Sequence, residues 1–349
     1  MQDNLSKTSK FFIKTYGCQY NEWDAARLAF ALSKVGLSEA AETDADVIFV
    51  LNCSVRKTAV DRALGKMKNW QDKKIILTGC ILKNDMPRFA NKKAHIWDGN
   101  DIERLRSILD LKVTDHEFEL FLSLGQKKTN CIPIMKGCNN FCAYCAVPYT
   151  RGREISRSIE EILEDVKKTV RAGNTKIWLL GQNVNSYTDS RKNNFAALLT
   201  QVNNIPGDFT IYFTSNHPKD MTDEIINAIA DLPKVAKLIH LPIQSGSDKI
   251  LKAMNRPYTK KQYLDLVDKI KKRIPSVQLT TDSIIGFPGE SAEDFQETVE
   301  VFKKVNFSQA FNNKYSPREG TAAWNLGDPI PWEEKQRRWQ VLNDLTNKG

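Results

Sequence analysis

Three cysteines stand close together in the segment GCNNFCAYC, which runs from Gly137 to Cys145. Cys138, Cys142 and Cys145 give the spacing CxxxCxxC, which is typical of metal ligation. A structural zinc site needs four Cys or His ligands, and none of the chain's 4 histidines lies near this segment in the sequence. Three thiolates instead suit an iron–sulfur cluster in which one iron has no protein ligand.

An iron without a protein ligand has an open coordination position, as catalytic metal sites do, and a small molecule can bind there. The segment directly follows the predicted strand CIPIMKG. In a β/α barrel, active sites lie at the carboxyl ends of the strands. The competing interpretation is a structural or chance group of cysteines. The spacing of the cysteines and their position after a strand together favour a catalytic metal site over that interpretation.

A second set of cysteines is spread over the first 80 residues. Cys18, Cys53 and Cys80 each follow a predicted strand, in IKTYGCQYNEWD, VLNCSVRKTA and LTGC. Parallel strands end at the same edge of their sheet, so these side chains can converge. The alternative is that each is a small buried hydrophobic residue, which accounts less well for three equivalent placements. Cys131, which opens a later strand, is interpreted as a packing residue.

Apolar runs alternate with helical periods from residue 10 onward and predict an α/β fold. The predicted strands of the first part are FFIKTY, DVIFVLN, KKIILTG and AHIWDG, and helices are predicted over 21–35, 55–70 and from 101. We assign residues 10–112 to an N-terminal parallel-sheet α/β domain. Residues 113–130 are predicted to be a linker, because DHEFELFLSLGQKKTN shows neither a clear period nor strong caps. A short hairpin is the alternative there.

The second part, residues 131–349, repeats the alternation with six predicted strands separated by helices, and ends in a helix. Its strands are CIPIMKG, KIWLLGQ, FTIYFTS, KLIHLPI, VQLTTDSIIGF and QAFNNKYS. This count fits a β/α barrel, incomplete rather than closed, better than an open sheet, although periodicity does not decide closure.

Composition narrows the class of protein. The chain has 349 residues with 41% hydrophobic and 27% charged residues, which is typical of a globular protein. Neither a signal peptide nor a membrane span is predicted, so we expect a cytoplasmic protein without a membrane partner. The net charge of +9 makes a polyanionic partner such as nucleic acid plausible. A basic stripe between residues 251 and 273 either follows RNA phosphates or is a solvated helix face.

The two cysteine sets, in this order, resemble the methylthiotransferases, a branch of the radical S-adenosylmethionine (SAM) enzymes. The resemblance covers about residues 14 to 339. Within the branch, five further stretches resemble the tRNA enzymes that act on N6-isopentenyladenosine. They are NCSVRKTA at Asn52, GCNNFCAYCAVPYTRGRE at Gly137, LLGQNVNSY at Leu179, HLPIQSGSDKIL at His240 and TDSIIGFPGE at Thr281. Arg56 and the run PYTRGRE favour this substrate over those of related branches.

The resemblance implies two [4Fe–4S] clusters and SAM as cofactors. Cys138, Cys142 and Cys145 would hold the cluster that cleaves SAM, and Cys18, Cys53 and Cys80 the auxiliary cluster that carries the sulfur to be donated. One SAM methylates that sulfur, and a second yields the 5′-deoxyadenosyl radical that removes hydrogen from C2 of the adenine. The implied partners are the tRNA anticodon loop, an external electron donor such as a flavodoxin or ferredoxin, and an iron–sulfur or sulfur carrier.

Three alternatives stay open. The same chemistry is known in relatives that modify threonylcarbamoyladenosine in tRNA or an aspartate of a ribosomal protein. A non-catalytic iron–sulfur electron carrier, or a zinc-dependent RNA-binding module, would use the cysteines differently.

Family members normally continue into a TRAM domain, a small β-barrel that binds tRNA. We expect no C-terminal TRAM β-barrel in this chain, which stops at LNDLTNKG.

Six more residues are candidates for cofactor binding because they follow predicted strands or flank the cysteine segment. The competing interpretations are turn chemistry, ordinary Gly- and Pro-rich loops and, for the arginine, a surface ion pair with Glu154. The candidates are Gln182, Asn183, Gln244, Ser245, Arg153 and Glu290.

Overall fold

The computed structural model describes residues 9–55, 57–99, 101–124 and 130–346. Arg56, which the resemblance singled out, lies outside them. The chain divides into two compact units at the boundary between residues 131 and 132. None of the described helices has the length and apolar character needed to span a bilayer.

The first unit is built on a five-stranded sheet in the order β2-β1-β3-β4-β5, with every neighbouring pair parallel. Its strands are β1 Lys10–Tyr16, β2 Ser38–Glu39, β3 Val47–Cys53, β4 Lys74–Cys80 and β5 Ala94–Ile96. Its helices are α1 Gln19–Lys34, α2 Lys57–Met67, α3 Met86–Ala90, α4 Ile102–Leu109 and α5 Asp115–Leu124.

Both faces of this sheet are buried, which explains the continuous apolar run of β3. Val47, Phe49 and Leu51 belong to a core with residues of α1, α4 and α5. Ile48 and Val50 belong to a second core with residues of α2. A strand covered on both faces needs apolar residues at successive positions, so the run predicted its place in the middle of a parallel sheet.

The linker interpretation is wrong for Asp115–Leu124, which forms α5 and packs on α1. Phe118 is fully buried in the core that α1 and α4 share. The helix begins with a reciprocal pair of bonds: the Thr114 hydroxyl accepts from the Glu117 N–H, and the Glu117 carboxylate accepts from the Thr114 N–H. The sequence Thr-x-x-Glu is the signature of such a capping box, and it is visible in TDHE.

Among the described residues of the second unit, six strands alternate with helices, as predicted. They form two three-stranded sheets, β10-β9-β6 and β11-β12-β13, and β10 meets the residues before β11 through a bridge between Ile211 and Val235. In the described chain this order ends at β6 and β13, so the barrel is incomplete. The strands are β6 Cys131–Pro133, β9 Lys176–Leu180, β10 Thr210–Phe213, β11 Leu238–His240, β12 Gln278–Ile285 and β13 Gln309–Lys314.

The helices of this unit lie between and after its strands, and all but the first contribute residues to one large apolar core. They are α6 Val147–Arg151, α7 Ile159–Arg171, α8 Phe195–Asn203, α9 Asp223–Asp231, α10 Asp248–Ala253, α11 Lys260–Arg273, α12 Ala292–Val305 and α13 Trp332–Thr346. A small antiparallel hairpin follows β6. Its strands, β7 Met135–Lys136 and β8 Ile155–Ser156, pair directly before and after the stretch that contains the cysteine segment and α6.

Candidate functional site

The cysteine segment lies between β7 and α6, at the end of the first barrel strand. Cys138 and Cys142 are buried, and the Cys145 N–H donates to the Cys142 carbonyl at 2.9 Å. Burial, together with the charges of the neighbouring cysteines, raises the pKa of the Cys138 thiol and raises that of the Cys145 thiol to about 12. The three sulfurs are therefore close enough to repel one another as thiolates.

This repulsion is what a cationic ligand would remove. A metal cation bound to a thiol deprotonates it and replaces mutual repulsion by attraction. The donor set of three thiols on one short segment, two of them buried, therefore fits a cluster held at three of its irons. Throughout residues 9–55, 57–99, 101–124 and 130–346, no group of three or more His, Cys, Asp or Glu is arranged to hold a single metal ion.

Backbone constraints fix the start of the segment. Gly137 has φ +81°, and a Cβ there would lie 2.1 Å from the carbonyl oxygen of Arg153. The Gly137 N–H donates to the side-chain oxygen of Gln182 at 2.6 Å, and the Cys138 N–H donates to the Gly152 carbonyl at 3.2 Å. Gln182 thus holds the cysteine segment by its backbone, a contact that sequence reasoning did not anticipate.

The middle of the segment is held by two distant parts of the chain. The Ala143 N–H donates to the Met254 carbonyl at 2.9 Å, and the Ala143 carbonyl accepts from the Ala323 N–H at 2.8 Å. The Asn255 side chain donates to the Phe141 carbonyl at 2.8 Å. Residues after α10 and in the 3-10 turn Ala322–Leu326 therefore keep the cysteine backbone in one conformation.

Arg256 belongs to the basic stripe by its place in the sequence, but the structure buries it beside the cysteines. Its Nη1 lies 3.5 Å from the Cys142 sulfur, and only 7% of the residue is exposed. Most other cations of that stretch make surface contacts: Lys260 pairs with Glu297, and Arg273 pairs with Asp231. These pairs favour the solvated-face interpretation for α11.

Asn183 follows β9 and carries a buried amide group. Its Nδ2 donates to the Asp220 carboxylate at 2.7 Å, and its Oδ1 is buried without a hydrogen-bond partner. Nearby, the Glu154 carboxylate accepts from the Ser186 hydroxyl at 2.8 Å, and burial raises its pKa. An amide oxygen beside two carboxylates is suited to accept hydrogen bonds from a ligand ammonium group.

The other candidates have different surroundings. Gln244 is buried at φ +67° and bridges to Ser283 of β12 through its backbone. Ser245 is fully buried, and its hydroxyl lies 3.5 Å from that of Thr298 and accepts from the Ser247 N–H. The described contacts of Ser245 are therefore internal to the fold.

Glu290 also has internal partners. Its Oε2 accepts from the Gly286 N–H at 2.8 Å and from the Arg338 Nη1 at 2.6 Å, and all three groups are buried. Burial raises the pKa of Glu290 despite these two donors. The carboxylate therefore closes the turn GFPGE and ties it to α13.

Arg153 lies at the exposed rim of the cysteine segment. Its guanidinium stacks over the Phe141 ring at 4.3 Å, and Phe141 meets the ring of Tyr149 edge to face at 6.0 Å. Tyr149 is 46% exposed. The rim formed by Phe141, Tyr149 and Arg153 presents aromatic surface and a positive charge to solvent.

The first unit places the other cysteines at one sheet edge. Cys53 and Cys80 are register partners at the ends of β3 and β4, and Cys18 precedes α1 just after β1, the other neighbour of β3. Cys18 is exposed, whereas Cys53 and Cys80 are buried. The rule that parallel strands end together thus placed the three cysteines correctly.

Buried polar groups surround this edge. Asn52 and Ser54 flank Cys53, both are fully buried, and neither side chain has a hydrogen-bond partner. The Asn21 Nδ2 donates to the Asn52 carbonyl at 3.0 Å, and the Cys80 thiol approaches the Asn21 Oδ1 at 3.9 Å. Orphaned buried polar atoms are rare in a complete structure, so the Cys53 and Cys80 thiols beside them fit a site that holds an additional group.

Comparison with known proteins places this chain in a family. Residues 132–302 match the Radical SAM superfamily, and residues 10–97 match the uncharacterized protein family UPF0004. A Clostridium botulinum protein called tRNA-2-methylthio-N(6)-dimethylallyladenosine synthase is 41% identical over 99% of this chain and 84% of its own length. The chain belongs to the methylthiotransferase family of radical SAM enzymes. A relative of the same name from Clostridium tetani is 40% identical over 100% of this chain and 83% of its own length.

Solved structures support the fold of this family member at low sequence identity. The radical SAM methyltransferase TsrM from Kitasatospora setae, with cobalamin and a [4Fe–4S] cluster bound, has a TM-score of 0.68 and 11% identity, covering 92% of this chain and 74% of its own. The cobalamin-dependent radical enzyme OxsB, with aqua-cobalamin bound, has a TM-score of 0.60 and 12% identity, covering 97% and 56%. These likenesses confirm the α/β architecture with a radical SAM barrel.

Proposed function

We propose that this enzyme inserts a methylthio group at C2 of N6-isopentenyladenosine in the anticodon loop of tRNA. One SAM would supply the methyl group, and a second would supply the radical that activates the C–H bond. The observation that carries the proposal is the 41% identity, over 99% of the chain, to a tRNA-2-methylthio-N(6)-dimethylallyladenosine synthase. The loop that carries Cys138, Cys142 and Cys145 supports the chemistry that this name requires.

Cys138, Cys142 and Cys145 would hold the first [4Fe–4S] cluster, leaving one iron open to SAM. When bound, this cluster supplies the electron that cleaves the sulfonium. Gln182 holds the Gly137 N–H and so orients the loop.

We assign SAM recognition to the groups after β9. The buried, unpartnered Oδ1 of Asn183 supports a bond from the SAM amino group, and Gln244 is placed past β11 in the same barrel edge. The internal contacts of Ser245 and Glu290 favour supporting roles for these two residues: one braces the backbone after β11, and the other closes the turn after β12.

The second [4Fe–4S] cluster would be held by Cys18, Cys53 and Cys80. Their common position at the carboxyl edge of β1, β3 and β4 supports this assignment, as do the orphaned polar groups of Asn52 and Ser54. A cluster held by three cysteines keeps one iron available for the sulfur to be transferred.

The substrate would approach over the rim formed by Phe141, Tyr149 and Arg153. Exposed aromatic rings and a guanidinium are the groups that stack on unpaired bases of RNA. An external electron donor such as a flavodoxin or ferredoxin, and a sulfur carrier, complete the set of proposed partners.

The test is a reaction of the anaerobically reconstituted chain with SAM, dithionite and tRNA that carries isopentenyladenosine. Nucleoside mass analysis should find the 2-methylthio derivative, together with 5′-deoxyadenosine, and both should vanish when Cys138, Cys142 and Cys145 are changed to alanine. The matched control is Cys131→Ala, which removes a buried cysteine outside both sets and should retain activity.

The alternatives give different products in the same assay. A methylthio group on threonylcarbamoyladenosine, with isopentenyladenosine unchanged, would reassign the substrate. Absence of 5′-deoxyadenosine from iron-loaded protein would favour an electron carrier and overturn the proposal.

A further inference from the structure

The Arg256 guanidinium lies inside the second unit, against the sulfur of Cys142. The Nη1 to Sγ distance is 3.5 Å. Two other bonds fix its orientation, because Nη2 donates to the Pro242 carbonyl and Nε donates to the Tyr258 hydroxyl, both at 2.9 Å. The Tyr258 hydroxyl in turn donates to the Ile243 carbonyl at 2.9 Å. The side chain is therefore held in one position that presents a donor to the sulfur.

No carboxylate of the described residues lies within ion-pair distance of Arg256, although it is 7% exposed. Arg338, which is 5% exposed, shows the usual solution, because it pairs with Glu290 and Glu334. A buried charge without a counter-charge is strongly unfavourable. A compensating negative charge for Arg256 must therefore come from another source.

The neighbouring groups do not supply that charge. His217 stacks edge to face on Tyr258 at 5.8 Å, and burial together with Arg256 and Lys219 lowers its pKa to about 2, so the imidazole is neutral. Burial also raises the pKa of the Tyr258 phenol. Burial likewise raises the pKa of the Tyr144 phenol, so among these neighbours the Cys142 sulfur is the group that becomes negative, as a thiolate ligand.

We propose that Arg256 is a positioning residue for the cluster: it donates to the Cys142 ligand sulfur and uses its charge to stabilise the reduced cluster. This inference rests on the proposed function, in that Cys142 must ligate iron. Hydrogen bonds to the ligand sulfurs and nearby charge set the reduction potentials of such clusters. Reduction adds one electron and so one negative charge, and a fixed buried cation favours the state that carries it.

Arg256→Gln should therefore make the cluster harder to reduce. We expect the equilibrium constant for one-electron reduction to fall tenfold or more, which corresponds to a midpoint potential more negative by about 59 mV or more. Arg256→Lys keeps the charge without the planar fork of the guanidinium, and its potential should lie between those of Arg256→Gln and the parent chain.

The experiment is a redox titration with dithionite, followed by electron paramagnetic resonance of the reduced cluster. It uses the full chain with Cys18, Cys53 and Cys80 changed to alanine, so that one cluster contributes to the signal. Arg273→Gln is the matched control, because it removes an exposed arginine that pairs with Asp231 on the surface, and it should leave the potential unchanged.

Each outcome decides between the claims. Equal potentials in iron-loaded parent, Arg256→Gln and Arg256→Lys chains would overturn the role of Arg256 and leave the proposed function intact. If Arg256→Gln loses its iron, the potential of Arg256→Lys alone is compared with that of the parent chain. If both variants lose their iron and the parent does not, Arg256 is required for cluster assembly, and its proposed role in reduction is overturned. A parent chain that binds no iron would overturn both claims.

Discussion

Gly137→Ala should destabilise the cysteine segment by more than the conformational cost of placing an alanine at positive φ. Its φ of +81° costs an alanine about 1–2 kcal/mol. The new Cβ would also lie 2.1 Å from the Arg153 carbonyl oxygen, about 0.9 Å inside the 3.0 Å that real Cβ contacts respect. Because the obstacle is backbone, the segment must move, and displacements of about 1 Å at a reacting centre cost about 100-fold in rate.

Gly173→Ala is the matched control. Gly173 has φ +86°, and a Cβ added there would have nothing within 4 Å, so its substitution carries the conformational cost alone. Urea unfolding should show a loss of about 1–2 kcal/mol for Gly173→Ala with iron content unchanged. Gly137→Ala should lose more stability and most of the 5′-deoxyadenosine formation. Equal losses of stability in the two variants, with both fully active, would refute the argument that close packing fixes this segment.

Three further substitutions test other contacts. Arg338→Met leaves the Glu290 carboxylate buried without its cation, which should cost about 3–5 kcal/mol in urea unfolding at pH 7. The cost should become smaller as the pH falls and this carboxyl, whose pKa burial raises, takes up a proton. His217 has a folded pKa of about 2, so only the unfolded chain protonates it below about pH 6.5. Lowering the pH from 7 to about 5 should therefore reduce the free energy of unfolding by about 2 kcal/mol. The His217→Asn variant should not show this reduction. Gln182→Leu leaves the Gly137 N–H without an acceptor and should lower iron retention on gel filtration, whereas Gln182→Glu should preserve it.

The placement of residues far apart in the sequence was predictable where they follow strands, because parallel strands end at the same edge of their sheet. The cysteines after β1, β3 and β4 were placed at one edge from the alternation of strands and helices alone. A barrel of six strands followed from counting six apolar runs, whereas the periodicity did not decide whether it closes. Very short elements such as β2 Ser38–Glu39 were missed, because two residues carry no readable period.

Side-chain contacts across long sequence separations were not predictable. Gln182 was a candidate for cofactor binding, with turn chemistry as the alternative, and its contact with the Gly137 N–H, 45 residues away, was not foreseen. Arg256 was grouped with a surface stripe by spacing, but the turn between α10 and α11 directs it to Cys142, 114 residues earlier. Only packing decides which face of a turn is buried. The helix α5 could have been found, since its capping box is written in the sequence.

The most direct test of the central claim, that two separate sets of three cysteines each hold a cluster, is iron and sulfide analysis of anaerobically reconstituted protein. The parent chain should contain about eight iron and eight sulfide per polypeptide, and about four of each should remain when either set of three is changed to alanine. Iron content that neither triple substitution changes, or zinc in place of iron, would contradict the account.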